Sequence, residues 1–228
     1  MNPDVSFILV IHVPIERITY NELRELSFVG AQVLHEGTVF PVREKNIPLN
    51  IRNTNEPDHP GTLITESFVE APNPERFVTG IAGKCDFSIV TVSKKGLSGA
   101  VGTLRAILEV FENNSIPVAH TPSGIDCISL AMPTEALTPN QYSLLDELRS
   151  EIRPDSIQIN DHIAVIAVVG RKMAFRVGTS GKIFAALGKA GINIRMITQG
   201  PEELNIIVGV DGGDFERAIR VLYDSFVK

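Results

Sequence analysis

Apolar positions along the chain follow two periods. Alternating or unbroken apolar runs at Phe87–Val92 and Ile163–Val169 read as strands. Each is followed by a Gly-rich loop, Gly96-Leu97-Ser98-Gly99 in the first case and Val177-Gly178-Thr179-Ser180-Gly181 in the second. Apolar residues then recur at helical spacing: Leu104, Ile107, Leu108 and Phe111, and later Ile183, Phe184 and Leu187. Asn113-Asn114 and Gly191 read as helix stops. A second strand is predicted over Ile116–His120 or Ile192–Ile197, a turn at Ser123-Gly124 or Gln199-Gly200, and a third strand over Cys127–Ala131 or Leu204–Val210. Amphipathic helices close both segments, over Pro139–Ile152 and over Asp214–Phe226, the latter with Phe215, Ala218, Ile219, Leu222 and Phe226 on one face.

The two segments are copies. A shift of 76 positions places Gly102-Thr103 on Gly178-Thr179, Ile107 on Ile183, Ile116 on Ile192, Val118 on Ile194 and Gly124 on Gly200, without a gap. Each copy reads βαββα, with an extra strand over Phe77–Ala82. That pattern predicts an α+β fold of two ferredoxin-like βαββαβ repeats, helices on one face of an antiparallel sheet. The first 60 residues lie outside the repeat. A helix opens at Ile18-Thr19-Tyr20 with Thr19 or Asn21 as N-cap and Leu23, Leu26, Val29, Gly30 and Val33 as its apolar side. A second helix is predicted over Val39–Lys45, a short strand over Ile47–Ile51 and a linker over Asn53–Gly61. So little structure makes a poor core alone and reads as the edge of a larger domain. The domain reading is 1–66 for this remnant, 67–77 for a linker, 78–155 for the first repeat and 156–228 for the second, with strand 78–83 joining the second repeat.

Composition narrows the function classes. Of 228 residues, 43% are hydrophobic and 21% charged, an ordinary globular balance. No apolar run is long enough to span a bilayer and no secretory signal is visible, so a cytoplasmic protein with no membrane role is expected. The net charge of −6 argues against nucleic acid as partner. Two cysteines, Cys85 and Cys127, read as small buried thiols, and the scattered histidines offer no metal-ligand spacing. Gly80–Lys84 and Gly178–Lys182 contain Gly-x-x-Gly-Lys, but a phosphate loop needs four residues between its glycines and Ser or Thr after the lysine.

A Gly-rich loop entering a helix presents backbone N–H groups and a positive dipole end, which suit a carboxylate. In both copies this loop should face the turn after the second strand. Ser98, Gly102, Thr103, Ser123, Gly124, Ile125 and Asp126 could then hold a zwitterionic amino acid, Asp126 taking its ammonium. Gly178, Thr179, Gln199, Gly200 and Glu202 form the corresponding set in copy two. The alternative is that these glycines only permit tight turns.

Specific motifs favour the binding reading. Tyr20-Asn-Glu-Leu-Arg-Glu-Leu-Ser-Phe-Val-Gly-Ala-Gln-Val-Leu-His35, Phe40-Pro-Val-Arg43, Ile47-Pro-Leu-Asn-Ile-Arg-Asn53 and Pro60-Gly-Thr-Leu-Ile64 resemble the end of the amino-acid-kinase domain of aspartate kinase. Val78-Thr-Gly-Ile-Ala82 resembles the strand that opens its regulatory region. Pro122-Ser-Gly-Ile-Asp126 and Gly191-Ile-Asn-Ile-Arg-Met-Ile-Thr-Gln-Gly200 resemble its two ACT-type repeats. The resemblance runs from about Ile15 to the C-terminus. It implies, for the complete enzyme, phosphorylation of L-aspartate by ATP with Mg. It also implies feedback control by L-lysine or L-threonine at the repeats, and a homodimer formed through them. The family's Lys-Phe-Gly-Gly, Arg-Gly-Gly-Ser and Thr-Asp-Pro-Arg segments are not found. The resemblance therefore implies a regulatory portion without catalytic residues, metal or cofactor of its own, working with a catalytic aspartate kinase subunit. Gln32 and Val33, within Gly30-Ala31-Gln32-Val33, mark a remnant nucleotide contact with Gln in place of the family's Lys. A competent kinase within a complete assembly and a free-standing amino-acid sensor are the competing readings.

Overall fold

The structure, a computed structural model, describes residues 15–30, 34, 36–67, 77–171, 173, 176–200 and 204–226. It divides into two compact units, one built from the described parts of Met1–Lys84 and Val165–Lys228, the other from Cys85–Ala164. Two long strands, β4 (Val78–Ser93) and β6 (Ser156–Gly170), pass from one unit into the other along the chain.

In the Cys85–Ala164 unit, the second half of β4 pairs antiparallel with β5 (Cys127–Pro133), from Phe87↔Pro133 to Ser93↔Cys127. The first half of β6 flanks β4 on its other side. There the Ser88 hydroxyl donates to Asp161 (2.6 Å) and the Asp155 N–H donates to Ser93 O (2.8 Å), so these strands also run antiparallel. Helix α3 (Thr103–Asn113) buries Ile107, Val110 and Phe111 in one apolar cluster with Val90, Val92, Leu130 and Met132. Short helices α4 (Thr134–Leu137) and α5 (Gln141–Glu147) add Leu137 and Leu144 to that cluster. The chain over Pro139–Ile152 is not the single helix expected. A 3-10 turn at Thr138–Asn140 carries Pro139, and a π turn over Leu148–Ile152 ends the segment. Ile116–His120 is not a strand either. Pro117 lacks an N–H, and the segment meets the sheet at its end, where the Ala119 and His120 N–H groups donate to Ala131 O (2.8 and 3.4 Å) and the Ala131 N–H donates to His120 O (2.9 Å).

The other unit begins with a small sheet: β1 (Arg17–Thr19) parallel to β3 (Thr62–Thr65), and β2 (Leu49–Ile51) antiparallel to β3. Helix α1 (Tyr20–Phe28) opens with a capping box, Thr19 accepting from the Glu22 N–H while Glu22 accepts from the Thr19 N–H. Helix α2 is Glu36–Glu44. The first half of β4 then joins the second half of β6, β8 (Asn205–Asp211) and β7 (Ile194–Gln199), in that order, with α6 (Thr179–Lys189) and α7 (Phe215–Phe226) as its helices. Residues 165–170 of β6 and 205–210 of β8 are buried at every position, so both faces of the sheet are covered. On β4 the coverings can be named. The space a Cβ would need at Gly83 is taken by the Phe215 ring of α7, and at Gly80 by Leu26 of α1. Positions three apart on a strand point to opposite faces, so α7 and α1 pack on opposite sides.

The duplication is written in the backbone. Left-handed φ values recur at the same 76-residue shift: Asp86 (63°) and His162 (59°), Gly102 (86°) and Gly178 (88°), Ser115 (54°) and Gly191 (69°). Asp86 and His162 each lie inside a long strand, which continues through the left-handed residue without a turn. In copy one the left-handed stop is Ser115, one residue beyond the expected Asn113-Asn114. The Asn114 amide donates to Val110 O (2.8 Å) and Glu147 (2.7 Å) and holds the helix end in place.

Glycine substitutions test this packing. A Cβ at Gly170 would lie 2.2 Å from Phe77 O, so Gly170→Ala should lower stability by about 2–3 kcal/mol. Gly188 sits in α6 with nothing within 4 Å of a Cβ, so Gly188→Ala should raise stability by about 0.5–1 kcal/mol. Urea unfolding of both variants checks the opposite signs.

Candidate functional site

The loop that follows β4 folds onto the turn that precedes β5. The Lys94 N–H donates to Asp126 O (2.8 Å) and the Ser98 N–H to Ile125 O (3.1 Å). The Asp126 carboxylate accepts from the Gly96 N–H at 2.7 Å, and Asp155 accepts from the Lys95 N–H at the same distance. Gly96 takes φ 75°, where glycine is favoured, and a 3-10 turn over Leu97–Gly99 carries the chain to α3. Leu97 is buried and pins this turn to the apolar cluster.

Ser98, Gly102 and Thr103 therefore lie on one loop, and Ser123, Gly124, Ile125 and Asp126 on the turn bonded to it. All are exposed except the half-buried Thr103. Gly102 caps α3 in the left-handed conformation with no side-chain bond to the first turn. Beneath the turn, the Gly124 N–H donates to Cys127 O (2.8 Å), and Cys127 Sγ would be 2.9 Å from a Cβ on Gly124. Val101 and Ile125, 104% and 78% exposed, add apolar surface at the loop and the turn. The arrangement offers backbone N–H groups at a helix start, a carboxylate able to accept further bonds, and apolar side chains for a ligand's tail.

Sequence reasoning missed the anchors Gly96 and Asp155. The available signal was a Lys-Lys-Gly tripeptide directly after a strand, together with an aspartate directly before one.

Copy two is built differently. Thr179 is buried, and its hydroxyl donates to Arg176 O (3.0 Å). The Arg176 guanidinium lies 4.5 Å over the Phe77 ring, and Phe77 meets Phe226 edge-on at 5.6 Å. The Gly200 N–H donates to Asn205 Oδ1 (3.4 Å). Gly178 and Gln199 are exposed; Glu202, like Gln32 and Val33, lies outside the described residues. Among the described residues no group of three or more His, Cys, Asp or Glu could hold a metal, and no helix is long and apolar enough to cross a membrane.

Elsewhere a small apolar cleft lies between α1 and α2, lined by Tyr20, Leu23, Val39 and Phe40 among others. The Tyr20 hydroxyl donates to Ile47 O (2.6 Å), and burial, with the Glu66 carboxylate second, pushes its pKa up.

His120 leads into the Pro122–Asp126 turn and is buried, and desolvation pushes its pKa below the usual 6.5. The unfolded chain therefore takes up the proton first as pH falls. The stability due to neutral His120 is complete above the unfolded pKa and is lost as pH drops from there toward the folded value. Urea unfolding at about pH 7.5 and pH 5.5 should show wild type losing more stability than His120→Gln.

Comparison with known proteins gives a consistent set. The family model "ACT domain" matches residues 166–226. Aspartokinase 3 of Bacillus subtilis is 32% identical over 213 residues, 93% of this chain and 46% of that protein. The crystal structure of Clostridium acetobutylicum aspartate kinase, described as an allosteric enzyme, superposes with TM-score 0.88 at 44% identity, over 93% of this chain and 49% of that one. A chain from the crystal structure of aspartokinase alpha and beta subunits is 30% identical with TM-score 0.59, over 66% of this chain and 99% of that one. The chain thus spans about half the length of the curated relative and of the Clostridium enzyme.

Proposed function

The chain belongs to the aspartate kinase family, and on that premise we propose that it is the allosteric portion of such an enzyme, sensing an end-product amino acid at the first repeat. One observation carries the reading: the Asp126 carboxylate and the Ile125 carbonyl fasten the loop that leads into α3. A ligand carboxylate would lie at the start of α3 near Gly102 and Thr103, and its ammonium at Asp126 beside Ser123. These groups are held before ligand arrives, so little ordering entropy opposes binding. L-Lysine and L-threonine are the proposed effectors. The Gly178–Thr179 and Gln199–Gly200 positions form a second, weaker candidate, because the buried Thr179 already bonds its own loop.

The complete enzyme would phosphorylate L-aspartate with ATP and Mg, the N-terminal segment here being the tail of its kinase domain. The half-exposed Phe28 and Phe40 and the cleft between α1 and α2 supply apolar surface for the rest of that domain. Residues 158 and 160–162 on the early part of β6 are exposed, as are Val101 and Val177, surface that suits pairing with a second copy in a homodimer. Cys85 and Cys127 are not joined in a disulfide, which agrees with a cytoplasmic setting.

Thermal-shift titration with lysine, threonine, methionine, aspartate and ATP separately tests this. A ligand at 100 times its Kd adds about 2.7 kcal/mol to the unfolding free energy. Lysine or threonine should stabilise the wild type, and Asp126→Ala should lose most of that gain while remaining folded. A shift with ATP or aspartate and none with any end product would overturn the regulatory reading in favour of a kinase remnant.

A further inference from the structure

Glu22 has no exposed surface, yet it is a capping-box residue, a position that ordinarily meets water. Its carboxylate accepts from the Thr19 N–H (2.9 Å), the Thr19 hydroxyl (2.7 Å), the Thr79 hydroxyl of β4, and Arg171 Nε at 2.9 Å to both oxygens. Arg171 follows directly on β6. Its Nη2 donates to Arg17 O (2.7 Å) and its backbone N–H to Phe77 O (3.2 Å). One arginine thus binds the strand before α1, the first turn of α1 and the entrance to β4.

We propose that Glu22 and Arg171 form a conformational latch: the first turn of α1 stays wound only while Arg171, at the end of β6, is docked on Glu22. The carboxylate makes two kinds of bond at once. Those to Thr19 are the cap, and that to Arg171 supplies, among the described residues, the one cation within salt-bridge distance of it. Withdrawal of Arg171 would leave a buried carboxylate with neutral donors alone, an arrangement that costs more than exposing the group to water. The side chain must then swing out, which releases the Thr19 N–H and hydroxyl and unwinds the turn. The position of the β6 end is thereby read as order or disorder in α1. Use of the latch as an effector relay rests on the regulatory reading above; the latch itself does not.

Hydrogen exchange by mass spectrometry on the full chain tests it. In Arg171→Met the α1 amides (20–28) should exchange on the order of 100-fold faster, with α3 and β5 unchanged. Glu22→Gln should accelerate them less, because the 22%-exposed arginine left behind can reach solvent. The double variant Glu22→Gln/Arg171→Met should fall well below Arg171→Met alone, since both charges leave together. Exchange in Arg171→Met within threefold of wild type would overturn the latch. So would equal acceleration across α1, β4 and β8, or effects that simply add in the double variant. A parallel lysine titration keeps the two readings apart. If lysine fails to stabilise the wild type, the effector reading falls, and the exchange ratios still decide the latch.

Discussion

A sheet buried on both faces needs a cover on each, and in the unit that holds the second repeat this constraint fixes most of what else is seen. Helices α6 and α7 come with the repeat. The opposite cover is α1, brought in from outside it, with Leu26 filling the surface left by Gly80 and the Glu25 carboxylate accepting from the Asn205 amide. A nine-residue helix is marginal alone in water, so its order derives from this packing. The packing also carries Glu22 and Glu25 toward the interior. A buried carboxylate survives only with several donors, and Thr19, Thr79 and Arg171 are those donors for Glu22. The capping box therefore belongs to tertiary structure as much as to the helix.

The Cys85–Ala164 unit solves a different problem. Its apolar cluster is closed by α3, α5 and the π turn, and what remains open is the pair of loops at one end of β4 and β5. Two carboxylates fix those loops through backbone N–H groups, Asp126 on Gly96 and Asp155 on Lys95. The Lys94 ammonium donates to Ile152 O (2.5 Å) and ties the same loop to the end of the π turn. On the proposed effector reading, hydrogen-bonded backbone at the base and exposed side chains at the rim would suit a small zwitterion. Charged groups set the orientation, and little has to be ordered on binding.

The repeat and its helices were legible because the 76-residue shift preserves apolar spacing, and the same shift governs the left-handed residues at 86 and 162, 102 and 178, 115 and 191. The apolar pattern gives separate strands over Phe77–Ala82 and Phe87–Val92 because it lapses at Gly83-Lys84-Cys85-Asp86; Asp86 accepts a left-handed φ within one continuous strand. β1 and β3 are too short to show any period. Ile116–His120 has strand composition, but Pro117 breaks the donor ladder. The Thr19-x-x-Glu22 spacing announces a capping box. Nothing local announces Arg171, which lies 149 residues further on, so the partner of a buried charge was the least legible feature of the chain.

The two copies share a backbone and have diverged in what their loops do. Gly102 and Gly178 adopt nearly the same φ, and neither has an atom within 4 Å of where a Cβ would stand. After Gly102 comes the half-buried Thr103, at a helix start beside an exposed loop. After Gly178 comes a buried Thr179 whose hydroxyl closes on Arg176 O, while the Arg176 guanidinium packs over Phe77 at the entrance to β4. In copy two the hydroxyl and the guanidinium at the helix start are thus bonded within the chain itself. The same Phe77 gives its carbonyl to Arg171, so the second loop and the Glu22–Arg171 pair are fastened to one residue. Duplication thus supplied two equivalent helix starts. At one of them Thr179 is buried and bonded to its own loop, and at the other Thr103 stands half-buried beside an exposed loop.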